Sequence, residues 1–197
     1  MTTKTKTGSD QKLKELILLL ARESEGEPNF GAVKLNKELF YSDFFAYLYL
    51  GKPITGHEYI AMELGPGPKY KLSIIHEMER QGELAVRKHA VSRYQEDRVF
   101  ALREPNLKQF TPEEIQLVHD VLKFCHEKTG KDLSTDSHAF LGWSLAAEKE
   151  IIPYPVMLIG TRGPTSEEIK WGHELESLAL ECLERNGRAA TEVRTKA

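Results

Sequence analysis

The chain has 197 residues, of which 40% are hydrophobic, and a formal net charge of -3. This length suits one domain with a sizeable core, with or without an extension, and the weak acidic charge argues against non-specific nucleic-acid binding. Cys125 and Cys182 are the only cysteines and form no CxxC pair, so neither a zinc ribbon nor a disulfide framework is predicted. No apolar run approaches the roughly 20 residues that span a bilayer. The polar N-terminus also lacks a signal peptide's apolar core, so we expect a cytoplasmic protein with no membrane partner.

The first predicted helix follows a small, polar and basic arm, residues 1–9, that we expect to be disordered. Ser9 or Asp10 is expected to cap this helix. Its apolar residues recur at i, i+3, i+4, i+7 and i+8, which predicts a single buried stripe. This stripe consists of Leu13, Leu16, Ile17, Leu20 and Ala21.

The second helix is predicted over residues 35–50, where Gly51 can end it in a left-handed conformation. It carries two apolar stripes. One contains Leu35, Leu39 and Ala46, and the other contains Phe40, Phe44, Tyr47 and Leu48. A helix with two apolar stripes packs on more than one face, so we expect it to be the central helix of the core.

An extended segment, residues 58–64, is predicted next and leads into the GPGP segment, Gly65–Pro68. Proline fixes φ and glycine allows unusual φ values, so four such residues predict a loop of set shape. A tight structural corner is the plainer interpretation, and a binding loop is the alternative. Residues 69–81 then predict a third helix, with Pro68 suited to its first turn.

Residues 84–91 and 98–103 predict an antiparallel hairpin around the polar segment 92–97, and residues 58–64 could add a third strand. A helix followed by a hairpin is also the order found in winged-helix DNA-binding proteins. Residues 69–103 hold eight Lys and Arg against five Asp and Glu, a modest excess, and the acidic residues of the helix would repel phosphates. A transcriptional regulator acting on its own operator is therefore an alternative function.

The fourth helix is predicted from Thr111 to about residue 128, because Thr111 and Glu114 can form a capping box. Two apolar stripes predict that it is largely enclosed. They consist of Ile115, Val118, Leu122 and Cys125, and of Leu117, Val121 and Phe124. Short helical segments are predicted over residues 132–139 and 143–147, and an extended strap over residues 151–157.

A last helix, residues 165–184, begins with another capping-box signal and is acidic, with six Glu against one Lys. The whole pattern predicts an α+β fold. We expect a predominantly α-helical single domain, with about six helices and a small antiparallel sheet or hairpin.

Few residues suggest chemistry. Ser134, Asp136 and His138 lie too close in sequence to predict a catalytic triad, and a small hydrolase is the least favoured function. Capping is the better interpretation of Ser134 and Ser137. No phosphate-binding loop and no metal-ligand spacing occurs, so we expect no catalytic residue, metal or cofactor.

Several segments, in this order, resemble the Panacea domain, also called the SocA-like antitoxin domain. They are KxxKxLFYSDF, GKPITGHEY, the GPGP segment, EMERQGEL, LSTDSHAFLGW and EIIPY, and together they cover about residues 11–155. Family members are the neutralising half of type II toxin-antitoxin pairs of bacteria and phages. The resemblance implies that a cognate protein toxin, encoded by an adjacent gene, is neutralised by stoichiometric binding, and leaves self-association open.

We accordingly predict a Panacea-like domain over residues 10–157, an acidic helical extension over 158–186 and a disordered tail over 187–197. Contact regions could be the GPGP segment, the hairpin tip and the last helix, whose acidic face could cover a basic toxin surface. A solvated face is the plainer interpretation of that helix. Trp143 is expected to anchor the core, and a buried Asp43 needs a partner, for which we hypothesise a hydrogen bond with His138. The candidate interface and motif residues are Tyr41, Asp43, Gly65, Pro66, Gly67, Pro68, Ser137, His138, Glu174, Glu176 and Glu181.

Overall fold

The computed structural model of the chain describes residues 7–91, 94–159, 166, 167, 169–171, 173 and 177. Contacts divide the chain into two units, residues 1–159 and 160–197. The described residues of the second unit are helical. Across the described ranges, no helix has both the length and the apolar character needed to cross a bilayer.

Helices dominate the first unit and two small antiparallel sheets complete it, which confirms the predicted α+β, predominantly helical fold. The helices and strands are α1 (Thr7–Glu23), α2 (Ala32–Leu50), β1 (Tyr59–Met62), β2 (Gly65–Pro68), α3 (Lys71–Arg80), β3 (Leu84–Val91), β4 (Tyr94–Ala101), α4 (Pro112–Cys125), α5 (Gly130–His138), α6 (Leu141–Leu145) and β5 (Ile151–Ile152). Short 3-10 helices lie at Leu107–Gln109 and Tyr154–Leu158.

The central position of α2 is confirmed, because its two apolar stripes enter two different core clusters. Leu35, Leu39 and Ala46 pack in the larger cluster, with α1, α3 and the β3–β4 hairpin. Phe40 and Phe44 pack in the second cluster, with β1, α4 and α5. In the second stripe Tyr47 is only half-buried and Leu48 is exposed, so the predicted burial is wrong for Leu48. Burial of the other five residues makes α2 the element to which the rest of the unit is attached.

The predicted helix ends are partly confirmed. Gly51 ends α2 with φ 75°, in the left-handed region that favours glycine, and Thr111 and Glu114 form the predicted capping box of α4. The predicted cap of α1 is wrong. That helix begins at Thr7, inside the arm predicted to be disordered, and the side chains of Ser9 and Asp10 instead bond to Thr55 and His57.

The strands form two sheets, where one three-stranded sheet was predicted. The hairpin of β3 and β4 is confirmed, but β4 begins at Tyr94, earlier than predicted, and pairs only with β3. The other sheet has the order β2-β1-β5, so the predicted extended segment 58–64 pairs with the GPGP segment and with the start of the strap.

The GPGP segment is a strand and the prediction of a loop is wrong. It pairs with β1 in the register Tyr59↔Pro68 to Met62↔Gly65 and lies at a sheet edge, where a proline needs no N–H for a further strand. Because the segment continues to Pro68 as a strand, the helix predicted from residue 69 begins at Lys71, after Tyr70 with φ 63°.

Candidate functional site

Asp43 is the centre of a buried hydrogen-bond network. Its side chain is fully buried, Oδ1 accepts a hydrogen bond from the Thr55 backbone N–H at 2.6 Å, and Oδ2 accepts one from the Thr55 hydroxyl. The Tyr59 hydroxyl lies 2.8 Å from Asp43 Oδ2 and 2.8 Å from the Leu39 carbonyl oxygen. Burial raises the pKa of Asp43, and the hydrogen bonds from Thr55 and Tyr59 partly offset this.

The network fixes the segment between α2 and β1 to α1 and to the strap. Ser9 of α1 donates to the Thr55 carbonyl at 3.0 Å, and His57 Nε2 lies 2.9 Å from Asp10 Oδ1. From the other side, the Tyr154 hydroxyl donates to the His57 carbonyl at 2.6 Å. Asp43 is therefore a buried acceptor that connects these elements of the domain.

The hypothesised hydrogen bond between Asp43 and His138 is wrong. Thr55 and Tyr59 occupy both carboxylate oxygens of Asp43. The His138 ring stacks on Trp143 at a centroid distance of 3.8 Å and an interplanar angle of 8°. Trp143 is half-buried at the edge of the second core cluster and donates from Nε1 to the Met62 carbonyl at 2.9 Å.

A second polar cluster lies under the turn between β1 and β2. Lys37 Nζ and the Ser134 hydroxyl both donate to the Leu64 carbonyl, the latter at 3.1 Å. Burial lowers the pKa of Lys37 to about 8. The Ser137 hydroxyl donates to the Ser134 carbonyl at 2.9 Å. Neither serine caps its helix, because Thr129 is the cap of α5, and that prediction is wrong.

All four residues of the GPGP segment are buried. At Gly65, where φ is 104°, an added Cβ would overlap Lys37 Nζ and Ser137 Oγ. The segment is therefore a strand packed between α2 and α5 and not an exposed contact loop. Among the predicted interface residues, Asp43, Ser137 and this segment are inside the domain.

We expect Gly65→Ala to lower the free energy of unfolding by about 2–3 kcal/mol, because alanine meets backbone strain and its Cβ displaces Lys37 Nζ from the Leu64 carbonyl. Gly82→Ala is the matched control. Gly82 also has a left-handed φ, 70°, but an added Cβ meets nothing within 4 Å, so a loss of only about 1 kcal/mol is expected. Urea unfolding of both variants measures the difference, and equal losses would show that the close packing on Gly65 is unimportant.

The residues considered for a small hydrolase do not assemble into a catalytic site. Ser134 donates to a backbone carbonyl, Asp136 pairs with Lys128 at 2.7 Å, and His138 stacks on Trp143. A nucleophile needs a base within hydrogen-bond reach, and these three side chains do not provide one. Among the described residues, no group of three or more His, Cys, Asp or Glu side chains is placed to hold a metal ion.

Charged residues on the helix and hairpin that were considered for DNA binding make contacts inside the domain. On α3, Glu77 pairs with Lys14 at 2.7 Å, and Glu79 accepts a hydrogen bond from the Val86 N–H at 3.1 Å. In the hairpin, the buried Arg98 donates to the carbonyls of Ser24 and Glu25 at 3.2 and 2.6 Å. Contacts within the chain therefore account for the charged side chains of Glu77, Glu79 and Arg98.

Sequence reasoning missed an apolar groove between α2 and α4, which we call the α2–α4 groove. It has a volume of about 690 Å³. Phe45, Tyr49, Leu117, Val121 and Phe124 line most of it, and Tyr41 packs beneath Phe124 at a centroid distance of 5.2 Å. The prediction that both stripes of α4 are largely enclosed is therefore wrong for Phe124, which is exposed, and is confirmed for Val121, which is buried, and for Leu117, which packs against the larger core cluster.

The candidate interface residues of the predicted last helix lie outside the described residues. This applies to Glu174, Glu176 and Glu181, and also to Ser92 at the predicted hairpin tip. The acidic contact face of this helix, and the domain boundaries drawn around it, remain predictions.

The fold and its surface define a class of protein. It is a predominantly helical domain whose buried polar groups support its own structure, with an apolar groove between α2 and α4. The model of the family described as antitoxin SocA-like, Panacea domain matches residues 35–144, and the chain belongs to this family. The resemblance stated from the sequence is thereby confirmed. No curated protein and no solved structure shows significant similarity to the chain.

Proposed function

We propose that this chain is the antitoxin of a type II toxin-antitoxin pair and that it neutralises a cognate protein toxin, in the cytoplasm, by stoichiometric binding. Membership of the SocA-like antitoxin family is the observation that carries the proposal. The placement of Ser134, Asp136 and His138 in separate structural contacts is consistent with binding in place of catalysis.

The matched span supports a role for the helical unit itself. Residues 35–144 run from the start of α2 to α6, so they include both walls of the α2–α4 groove and exclude residues 160–197. Specificity in such a role comes from a complementary surface that excludes other proteins. The unit that binds the toxin is then residues 7–159, with the C-terminal unit as an additional element.

Co-expression with the adjacent gene tests this function. We expect the product of that gene to arrest growth when expressed alone. The full chain should restore growth and co-purify with that product in a fixed ratio of masses by light scattering. An otherwise identical plasmid with a stop codon early in the reading frame is the control, because it keeps the RNA but removes the protein. Growth arrest that persists with the intact chain, or a harmless neighbour, would contradict the proposal.

A further inference from the structure

We propose that the α2–α4 groove is where the toxin docks, and that its occupant is an amphipathic helical segment of the toxin with basic residues beside an apolar stripe. This inference rests on the proposed function. It names the contact surface and the chemistry of the partner, and it adds the groove to the three contact regions considered from the sequence.

The groove exposes large apolar side chains, one of which, Phe124, is partly covered by Lys128, whose Nζ lies 3.8 Å from the ring centroid. Tyr49 is 69% exposed and Phe124 is 41% exposed. Both side chains are aromatic, a class enriched at the centres of protein interfaces because it buries a large area at low conformational cost. Between them lies the buried Val121, so the surface is concave with an apolar floor.

The walls of the groove are preformed. Phe45 contacts Tyr49 and Phe124 at centroid distances of 6.1 and 6.3 Å, and Tyr41 contacts Phe45 at 5.3 Å. These rings are carried by two helices that each enter the core. A partner therefore binds without having to order the groove, which lowers the entropic cost of association.

Charge selects the partner. Glu113 and Asp120 line the groove, and its described lining contains no Lys or Arg. Two lysines approach it from outside this lining: Lys52 interacts electrostatically with Glu113, and Lys128 lies over the Phe124 ring. Gln116 Nε2 donates to Asp120 Oδ1 at 3.1 Å, and Lys123 reaches Asp120 from outside the lining at 3.7 Å. The C-terminal end of α2 also points here with no basic residue in its last turn, and such an end carries partial negative charge. Lys or Arg beside the apolar stripe of a partner complements this wall.

A helix suits the shape better than a second copy of this chain. Two neighbouring helices form a groove into which a third helix can place an apolar face, a recurrent mode of peptide recognition. In a two-fold symmetric dimer, the same patch meets itself. The acidic wall of Glu113 and Asp120 would then approach an identical acidic wall, and like charges across an interface are unfavourable.

The apolar part is tested with Tyr49→Glu against Leu72→Glu. Leu72 lies on α3, outside the groove, and is 67% exposed, which matches the 69% of Tyr49. The full-length variants are titrated with the purified product of the toxic adjacent gene. We expect Tyr49→Glu to weaken binding by roughly 30-fold or more and to lose growth rescue, and Leu72→Glu to change affinity by less than about 3-fold. Circular dichroism confirms that both variants are folded.

The charge part is tested with the double variant Glu113→Lys and Asp120→Lys against Glu148→Lys, which changes an exposed acid outside the groove. We expect the double variant to weaken binding about 10-fold at low salt and to reduce its salt dependence, with no change for the control.

The outcomes separate this inference from the proposed function. If wild type binds the toxin and both groove variants bind equally well, the groove assignment is overturned while the antitoxin function stands. If Tyr49→Glu converts a wild-type dimer into a monomer without loss of toxin affinity, a second copy is the occupant and the inference is again wrong. If wild type binds no toxic product, the proposed function itself fails.

Discussion

Asp43→Ala is expected to lower the free energy of unfolding by roughly 3–5 kcal/mol, because it leaves buried donors without an acceptor. The Thr55 N–H and hydroxyl lose their only described acceptor, while the Tyr59 hydroxyl keeps the Leu39 carbonyl. The segment of residues 54–57 is also where α1 and the strap attach, so the loss spreads across several elements.

Urea denaturation measures this effect, with Asp136→Ala as the control. Asp136 pairs with Lys128 at the surface, and its removal is expected to cost less than about 1 kcal/mol. If Asp43→Ala does not fold, Tyr59→Phe removes one donor and is expected to cost about 1–2 kcal/mol. A double-mutant cycle should show coupling between Asp43 and Tyr59 and none between Asp43 and His138. Coupling to His138 alone would contradict the network.

The sequence was most informative where local chemistry determines structure. The two apolar stripes of α2 predicted its packing on two faces, and the residue types at Thr111 and Glu114 predicted the capping box. Both signals depend only on residues within one helix. The family resemblance, in turn, depended on an ordered set of segments, and none of these revealed which surface binds a partner.

The GPGP strand was missed because its sequence argues against a strand. Proline and glycine are poor strand residues, and they are tolerated here because β2 is an edge strand and because α2 and α5 approach closely. Gly65 provides the space that the Lys37 and Ser137 side chains occupy. Only contacts between distant parts of the chain reveal this arrangement.

The partner of Asp43 and the open face of α4 were missed for a related reason. Thr55 lies within the GKPITGHEY segment, where nothing local indicates a partner, and the path of the chain after Gly51 brings it back to Asp43. On α4, the apolar stripe of Leu117 and Phe124 indicated burial, yet α2 covers only part of it. A stripe shows that a face is apolar, and it does not show whether the covering surface belongs to the same chain.

Glu38 is expected to make stability fall as the pH rises. Its side chain is fully buried on α2, and neither carboxylate oxygen has a hydrogen-bond partner among the described residues. Burial raises the pKa of Glu38 to about 8; the charge of Lys34 opposes this rise and that of Glu27 adds to it. Lys34 is itself paired with Glu27 and is therefore not free to neutralise Glu38.

The direction of this pH dependence follows from proton binding in the folded and unfolded chains. Below pH 4.5, Glu38 is protonated in both the folded and the unfolded chain. Between 4.5 and about 8 the unfolded chain releases this proton and the folded chain keeps it, so the free energy of unfolding falls with pH. The total contribution is roughly 3–5 kcal/mol, at 1.36 kcal/mol per pKa unit. Glu38→Gln keeps a neutral side chain of the same shape, so its stability should exceed that of wild type at pH 9 and match it near pH 4.5.

Chemical denaturation of wild type and Glu38→Gln at several pH values measures the free energy of unfolding of each protein. In the difference between the two values, the contributions of all other titrating groups cancel. Lys71→Met is the control of opposite sign. Burial lowers the pKa of Lys71 to about 8, so the folded chain releases the proton before the unfolded chain does. Wild-type stability relative to this variant should therefore rise between pH 8 and 10.5.

One outcome would contradict the prediction for Glu38. If the difference in unfolding free energy between wild type and Glu38→Gln stays constant from pH 4.5 to 9, Glu38 is ionised within the core, and Lys34 compensates its charge despite the pairing with Glu27.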